Sequence, residues 1–569
     1  MREATVVMTW QRSDRRESNM KRDHRAAYRR AFLAVKAFLS VTAVGAMAHA
    51  SGLEIPEIGA LGLGRGGAVV ANPMDPSTLA YNPAGILGLP GLQVSLGSNL
   101  GSFSQCFQRF GGYRQSNDVA VEVAGTRFAT SNYAAPPNGM DTPYPQTCAN
   151  PSLAFAPNLG VTYRVLPNLA FGIGAFPPHT TGREGVFPDQ VMTANGPAPS
   201  PARHLLYEKR LFLFYPSFTA AFAPVPWLRL GGSLQVGFAS FEYATHLNPL
   251  PDAAQSPDSD IKLTLRAGGT FVTGNAGIQV ILPRYFTFGA KFQYMPELNI
   301  AGIGGGTAED MYYSANAMTR AARTTTFDVG RLIAQPPWHL RTGLRFAMPR
   351  AGRPDAWTAA HALRNTLADG RSIERSYDPM RDDAWDLEVD FNYEQTSLLS
   401  QTALDPRGSI VVGGGVPIAF REDLPGMPGT GTRINIRSDF RNTMGVRVGG
   451  DWNVIPDRWT LRAGFSAETG ASSPGNSQIH LPTYDSFSAH FGTSFRHKWF
   501  TVNFSYAHVY FVPYEDRQGA RYIITTLALD PNVTDACPRT GGAVGGCDTN
   551  RARYSASMDL VAINFSGRW

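Results

Sequence analysis

The stretch "LRLGGSLQVGF", residues 228–238, alternates with a period of two. Leu228, Leu230, Leu234, Val236 and Phe238 share one face; Arg229, Ser233 and Gln235 share the other. Successive side chains of a strand point to opposite faces, so this is a strand with one apolar and one polar side. The division recurs along the chain. In "FTFGAKFQY" (286–294), Phe286, Phe288, Phe292 and Tyr294 oppose Thr287, Lys291 and Gln293. In "WDLEVDFNYEQ" (385–395), Leu387, Val389, Phe391 and Tyr393 oppose Glu388, Asp390, Asn392 and Glu394. In "MGVRVGGDW" (444–452), Met444, Val446, Val448 and Trp452 oppose Arg447 and Asp451. No charge falls on these apolar faces.

Alternation alone also fits a soluble β-sandwich with one wet face. Three features favour a transmembrane β-barrel. The segments run about ten residues, the length a tilted strand needs to cross a bilayer. The chain opens with an export signal: "MKRDHRAAYRR" from Met20 is a basic region, "AFLSVTAVGAM" from Ala37 a short apolar core, and Ala48-His49-Ala50 a cleavage site. Residues 1–50 are therefore a signal peptide, with Met20 as an alternative start, and the mature chain begins at Ser51. Finally, "LVAINFSGRW" (560–569) aligns Val561, Ile563, Phe565 and Trp569 on one face and ends on an aromatic residue, as outer-membrane barrels commonly do.

The formal net charge of +6 does not mark a nucleic-acid partner. Ten of the 51 Lys/Arg and four of the 45 Asp/Glu lie in the first 50 residues, so the remainder is formally neutral.

Joins between strands come in two kinds. "LPN" at Leu166, "PVPW" at Pro224, "LPRY" at Leu282, "IPDRW" at Ile455 and "HKW" at His497 are tight; the others are long and polar. Barrels of this class have short periplasmic turns and long external loops. About fourteen strands are expected, starting near Leu92, Leu153, Leu169, Leu211, Leu228, Thr270, Phe286, His339, Trp385, Phe440, Trp459, Ser486, Phe500 and Tyr554. An even count puts both ends in the periplasm. One periplasmic join is long, at 349–383, and "PDAWTAAHALRNTLADG" within it reads as a short helix from Pro354 to Gly370. A docking element and a plain insertion are both open. Cys106 and Cys148 share the first long loop, and Cys537 and Cys547 the last, which favours pairing within each loop. No C-x₂-C pair with nearby His suggests a metal site, and no cofactor is expected.

Residues 51–90 do not alternate. "MDPSTLAY" offers Asp75 as a helix cap with Pro76 behind it, and "YNPAGIL" repeats the device with Asn82, Pro83 and Ala84. Asp and Asn side chains accept bonds from free N–H groups at a helix start, where Pro loses nothing. The Asn-Pro-Ala triplet therefore starts a short helix. It occurs once, without the six apolar spans a water channel needs. "GLGRGGA" (62–68), with Gly62, Gly64 and Arg65, supplies flexible backbone before it.

The segment "SGLEIPEIGALGLGRGGAVVANPMDPSTLAYNPAGILGLPG" (51–91) resembles the N-terminal hatch of the FadL/TodX family of outer-membrane transporters of fatty acids and aromatic hydrocarbons. "LAFGIGAFPP" (169–178), "YPSFTAAFAPVPWLRLGGSLQ" (215–235) and "FRNTMGVRVGGDWNVIPDRWTLRAGFS" (440–466) are similar to that family as well. The resemblance implies a barrel over 91–569 plugged by a hatch over 51–90, and passive uptake of hydrophobic molecules in a Gram-negative outer membrane. It implies that Leu53 lies near the ligand pocket. The expected surroundings are outer-membrane lipid and lipopolysaccharide, with the strand ending in Trp569 engaging the barrel-assembly machinery of a monomer. The insertion at 349–383 and the two Cys-bearing loops depart from the family.

In the third strand, Pro177 and Pro178 have no N–H to give a neighbour, and Gly172 and Gly174 have no side chain to fill the wall. The prolines either end the strand or kink it. The resemblance favours a kink with a lateral opening lined by Phe171, Ile173 and Phe176. On the polar faces, Arg229, Lys291, Arg341, Arg345, Arg447 and Arg462 could hold a carboxylate or pair with Glu388, Asp390, Glu394 and Asp451. Two other functions compete. A porin for polar solutes would need an open pore. A lipase or protease would need a Ser–His or acidic–His constellation, whereas His179, His204, His246, His480, His490 and His508 are scattered without a G-x-S-x-G elbow. Neither an enzyme nor a nucleic-acid binder is expected.

Overall fold

The computed structural model describes residues 58–113, 142–176, 182–247, 261–308, 323–364, 376–420, 434–517 and 550–569, with a few short breaks inside these ranges and two short strands between them. Residues 1–50, expected to be a signal peptide, and Leu53, Pro177, Pro178, Gly370, Cys537 and Cys547 lie outside the described residues.

Fourteen strands form the wall. They are β1 (Leu92–Arg109), β2 (Ser152–Leu166), β3 (Leu169–Ala175), β4 (Glu208–Phe214 continued by Pro216–Val225), β5 (Leu228–Leu247), β6 (Ile261–Ile281) and β7 (Phe286–Tyr294 continued by Leu298–Ala308). The ring goes on through β8 (Arg323–Ala334 continued by His339–Pro349), β9 (Asp383–Glu394 continued by Thr402–Val412) and β10 (Ile434–Ile436 continued by Thr443–Ile455). It ends with β11 (Trp459–Glu468), β12 (Ser486–His497), β13 (Phe500–Phe511) and β14 (Ala552–Arg568). Each pairs antiparallel with the next, and β1 pairs with β14 from Gln93↔Arg568 to Arg109↔Ala552, so the sheet closes on itself. Closure leaves no edge to satisfy in lipid.

The two faces carry the reverse of a soluble core. On β5, Leu234 is 62% exposed and its neighbour Gln235 only 7%. Arg345, Glu388, Asp390 and Arg447 are buried, while Val446, Phe465, Phe504 and Phe565 are exposed. A sandwich would bury the apolar face; a barrel in lipid exposes it. At the end with the tight turns, Trp499 stacks on Trp569 with ring centroids 5.2 Å apart, and Trp385 lies 5.5 Å from Phe346. Aromatic rings gather this way at the lipid–water boundary.

Every expected strand is present, but several are longer. β6 runs for 21 residues and begins at Ile261, ahead of Thr270, and β8 begins at Arg323, ahead of His339. A register shift between Val329 and Arg331 breaks the alternation that would have revealed the first half of β8.

Residues 58–90 bond to strands all around the ring and therefore lie inside it. They comprise helix α1 (Gly59–Gly64), helix α2 (Thr78–Tyr81) and a 3₁₀ turn at Pro83–Gly88. Asn82 caps the last as expected, accepting from Ala84 N at 3.1 Å with Pro83 at the first position. Asp75 acts earlier than expected. It accepts from Ser77 N at 2.8 Å in a turn that leads into α2, whose first residue is Thr78. "GLGRGGA" is also more ordered than expected: Gly62 and Gly64 belong to α1, and only Gly66 and Gly67 take positive φ.

The long join is an outgrowth of a hairpin. Pro349 and Asp383 are ladder partners, as in a tight turn. Between them lie helix α3 (Ala356–Arg364) and the one-turn helix α4 (Pro379–Asp382), capped by Asp378. Cys106 and Cys148 form a disulfide.

Candidate functional site

The packed lumen is the candidate site. Its centre is Arg65, fully buried at the end of α1. Its Nη1 lies 2.6 Å from Asp386 and 2.9 Å from Asp451, and its Nη2 lies 3.4 Å from Glu388. Burial disfavours the Arg65 charge, but Asp386, Asp451 and Glu388 more than compensate and hold its pKa above the ordinary value. The backbone beyond it is bound to the same patch. Val69 N and Val70 N donate to Asp390 at 3.0 and 3.1 Å, and Ala71 N donates to Glu388 at 2.6 Å. Three of the four acids expected as partners for wall arginines therefore bind the hatch-like segment. Asp451 serves both, lying 3.3 Å from Arg462.

Other strands hold the segment elsewhere. Gln279 donates to Ala71 O at 2.8 Å, Ser505 to Ala60 O at 2.6 Å, and Asn82 to Ile278 O at 3.0 Å. Strand glycines make the approach possible. A Cβ on Gly277 would lie 2.2 Å from Asn82 Oδ1, on Gly289 2.3 Å from Val70 O, and on Gly464 2.2 Å from Arg65 C. These glycines escaped the sequence reading. The signal was present, since interior glycines weaken strands and mark close backbone approach.

The six cations of the polar faces all turn inward but do not converge on one point. Arg345 pairs with Asp383 at 2.7 Å and Asp386 at 2.8 Å, Arg447 with Glu468, and Arg462 with Asp451. Lys291 donates to Ala80 O at 2.6 Å. Arg341 donates to Asn392 at 3.2 Å and Arg229 to Gln279 at 2.7 Å; among the described residues neither meets a carboxylate.

At the third strand, Phe171 and Ile173 point outward and are exposed, whereas Gly172 faces inward. The space above the glycines is not empty. A Cβ on Gly172 would lie 2.6 Å from Leu79 Cδ2, and one on Gly174 would lie 2.5 Å from the Phe176 ring. Phe176 and Leu79 are buried together with Ile86 and Leu87. So Phe176 belongs to the inner packing, apart from Phe171 and Ile173.

Of the histidines, His490 is buried, with Nε2 2.6 Å from Ser488 Oγ beside Gly66. His508 is exposed and bonds Asp559 at 2.9 Å. The side chains of His179, His204, His246 and His480 lie outside the described residues.

Neither a family model nor a curated protein matches the chain. Solved structures do. A Pseudomonas aeruginosa FadL homologue is 14% identical at a TM-score of 0.59, covering 91% of this chain and 100% of that one. The Pseudomonas putida toluene transporter TodX is 13% identical at 0.52, covering 92% and 98%. The CymD monoaromatic hydrocarbon channel is 14% identical at 0.51, covering 90% and 97%. The chain has the fold of these channels. At such identity the likeness is one of fold.

Proposed function

We propose that the protein is an outer-membrane channel for passive uptake of hydrophobic molecules, hydrocarbons or long-chain fatty acids, through a barrel plugged by residues 51–90, with a lateral exit at β3. The observation that carries this reading is the lumen filled by the segment that Arg65 anchors. Hydrated solutes need a continuous water column, and this packing opposes one. Apolar molecules need only apolar contacts in sequence, and they cross a lipopolysaccharide leaflet poorly unaided. The cargo named for TodX and CymD supports the same class here.

Support for the lateral exit comes from β2 and β3. The ladder between them runs from Leu159↔Ala175 to Leu166↔Leu169, although β2 itself begins at Ser152. Where that ladder stops, Phe176 and Leu79 fill the wall from inside. Side chains can rotate aside without breaking ladder bonds, so this pair is suited to act as a gate. Phe171 and Ile173 give the departing molecule an apolar surface on the lipid side.

The test is a reversible lock. Leu79 Cδ2 lies 2.6 Å from where a Cβ on Gly172 would be, so cysteines at these two positions are neighbours whose cross-linking can be tried by oxidation. Uptake of a radiolabelled hydrocarbon by cells carrying Leu79→Cys with Gly172→Cys should fall sharply when oxidised and recover on reduction. The unmodified protein, put through the same cycle, controls for Cys106–Cys148. Undiminished uptake through the locked, folded barrel would exclude the lateral route.

A further inference from the structure

Ser376–Asp382 crosses the mouth of the barrel at the tight-turn end. Arg164 of β2 donates to Ser376 Oγ. In a ring of fourteen, β2 lies seven strands from β9, the strand this segment feeds, so the contact is made diametrically across the ring. Tyr377 accepts from Arg345 Nη1 of β8 at 3.1 Å. Asp378 accepts from Arg496 of β12 at 2.7 Å and from Arg568 of β14. Asn453 of β10 donates to Pro379 O at 2.9 Å, and Asp457 N, in the turn after it, to Met380 O at 3.1 Å. Five consecutive residues thus bind the ends of five strands and one turn.

Above this strap lies the hatch-like segment. Two cavities separate them. One is bounded by Met74 and Pro73 on one side and by Asp378 and Met380 on the other. The second lies between Ala71 and Tyr377, with Ala356 and Ala359 of α3 along its edge. Pro349↔Asp383 pairing shows that a tight turn would suffice to join β8 to β9. The outgrowth is therefore not needed to connect the strands.

We propose that Ser376–Asp382 of the outgrowth is a second closure of the barrel, a strap across its periplasmic mouth latched by Asp378 to Arg496 and Arg568. It isolates the space beneath the hatch from periplasmic water. Its consequence for cargo, that nothing leaves straight downward, rests on the uptake reading; the closure itself does not.

Thiol accessibility tests it without cargo. Met74→Cys places a thiol in the cavity between hatch and strap, in a background where Cys537 and Cys547 are replaced by serine. A bulky, membrane-impermeant maleimide is applied to purified, folded, unreduced protein. Two further variants are compared: Asp378→Lys, which reverses the latch charge, and replacement of residues 350–382 by an Asn-Gly turn. Heat-modifiable mobility on a gel confirms that each barrel is folded. Labelling is expected to be slow with the strap in place and at least about tenfold faster in both variants. Equal labelling rates in folded barrels with and without residues 350–382 would overturn the proposal. Acceleration on excision but not in Asp378→Lys would overturn the latch while leaving the closure.

Discussion

Arg65 Nη1 lies 2.6 Å from Asp386 Oδ1, and this buried pair joins the end of α1 to the wall strand β9. Removing one partner of a buried pair leaves the other charged and dry, which costs about 3–5 kcal/mol. Arg65→Ala takes the cation from Glu388 and leaves Asp386 with Arg345 and Asp451 with Arg462 alone. The expected result is a folded barrel with a loosened interior. Amide exchange at Val69, Val70 and Ala71 should accelerate by about a hundredfold or more, since 1.4 kcal/mol is a factor of ten. Unchanged protection there would show that the neighbouring bonds suffice without Arg65.

Gly277 seats the 3₁₀ turn. A side chain on it would meet Asn82 Oδ1 at 2.2 Å and Pro83 behind it. Gly277→Val should displace the turn and lower the melting temperature. Asn82→Ala removes the cap and the bonds to Val70 O and Ile278 O, and should cost about 1–2 kcal/mol. The two changes act on one contact, so the double variant should cost less than the sum. Full additivity in thermal denaturation would separate them.

Arg229 and Arg447 should behave differently in uptake. Arg229 faces Gln279 rather than a carboxylate, so it has capacity for an anionic headgroup. Arg447 is already paired with Glu468. Arg229→Gln is expected to reduce oleate uptake severalfold relative to an alkane. Arg447→Gln should reduce heat resistance and affect both substrates alike. Equal losses of oleate and alkane in Arg229→Gln exclude carboxylate capture at that position.

Asp378 sets a pH limit on the strap. Burial alone would raise its pKa, but Arg496 and Arg568, with Arg381 nearby, outweigh burial and lower it. A carboxyl depressed in the folded state binds its proton more weakly there than when unfolded. Its stabilising contribution is therefore complete above the unfolded value of about 3.9 and fades as pH falls through the folded one. Protection of Met380 and Asp457 amides should hold from pH 8 to pH 5 and be lost only in stronger acid. Loss between pH 7 and pH 5 would assign the latch to another group.

The wall was legible because a strand writes its environment into every second residue. Leu228 to Phe238 carries enough of that pattern to place β5 without any partner. Asn82 and Pro83 were legible for the same reason, since a cap acts within two residues. What the sequence hid is long-range. Arg65 meets residues 321 and 386 positions away, and Asp378 meets Arg568 190 positions away. No local pattern names such partners. Glu388 and Asp390 were recognised as inward-facing acids but matched to wall arginines, because the backbone N–H groups they bind leave no trace in composition. Gly172 and Gly174 read as gaps, since a missing side chain does not reveal that Leu79 and Phe176 occupy its place.

Passage of apolar molecules with exclusion of polar ones defines the proposed channel. The most direct measurement compares the two on the same reconstituted protein: uptake of radiolabelled toluene into vesicles with a lipopolysaccharide outer leaflet, and single-channel current across a planar bilayer. Toluene entry is expected well above that of protein-free vesicles, with no wide, steady ion current. A large stable conductance together with toluene entry no faster than through lipid alone would contradict the proposal.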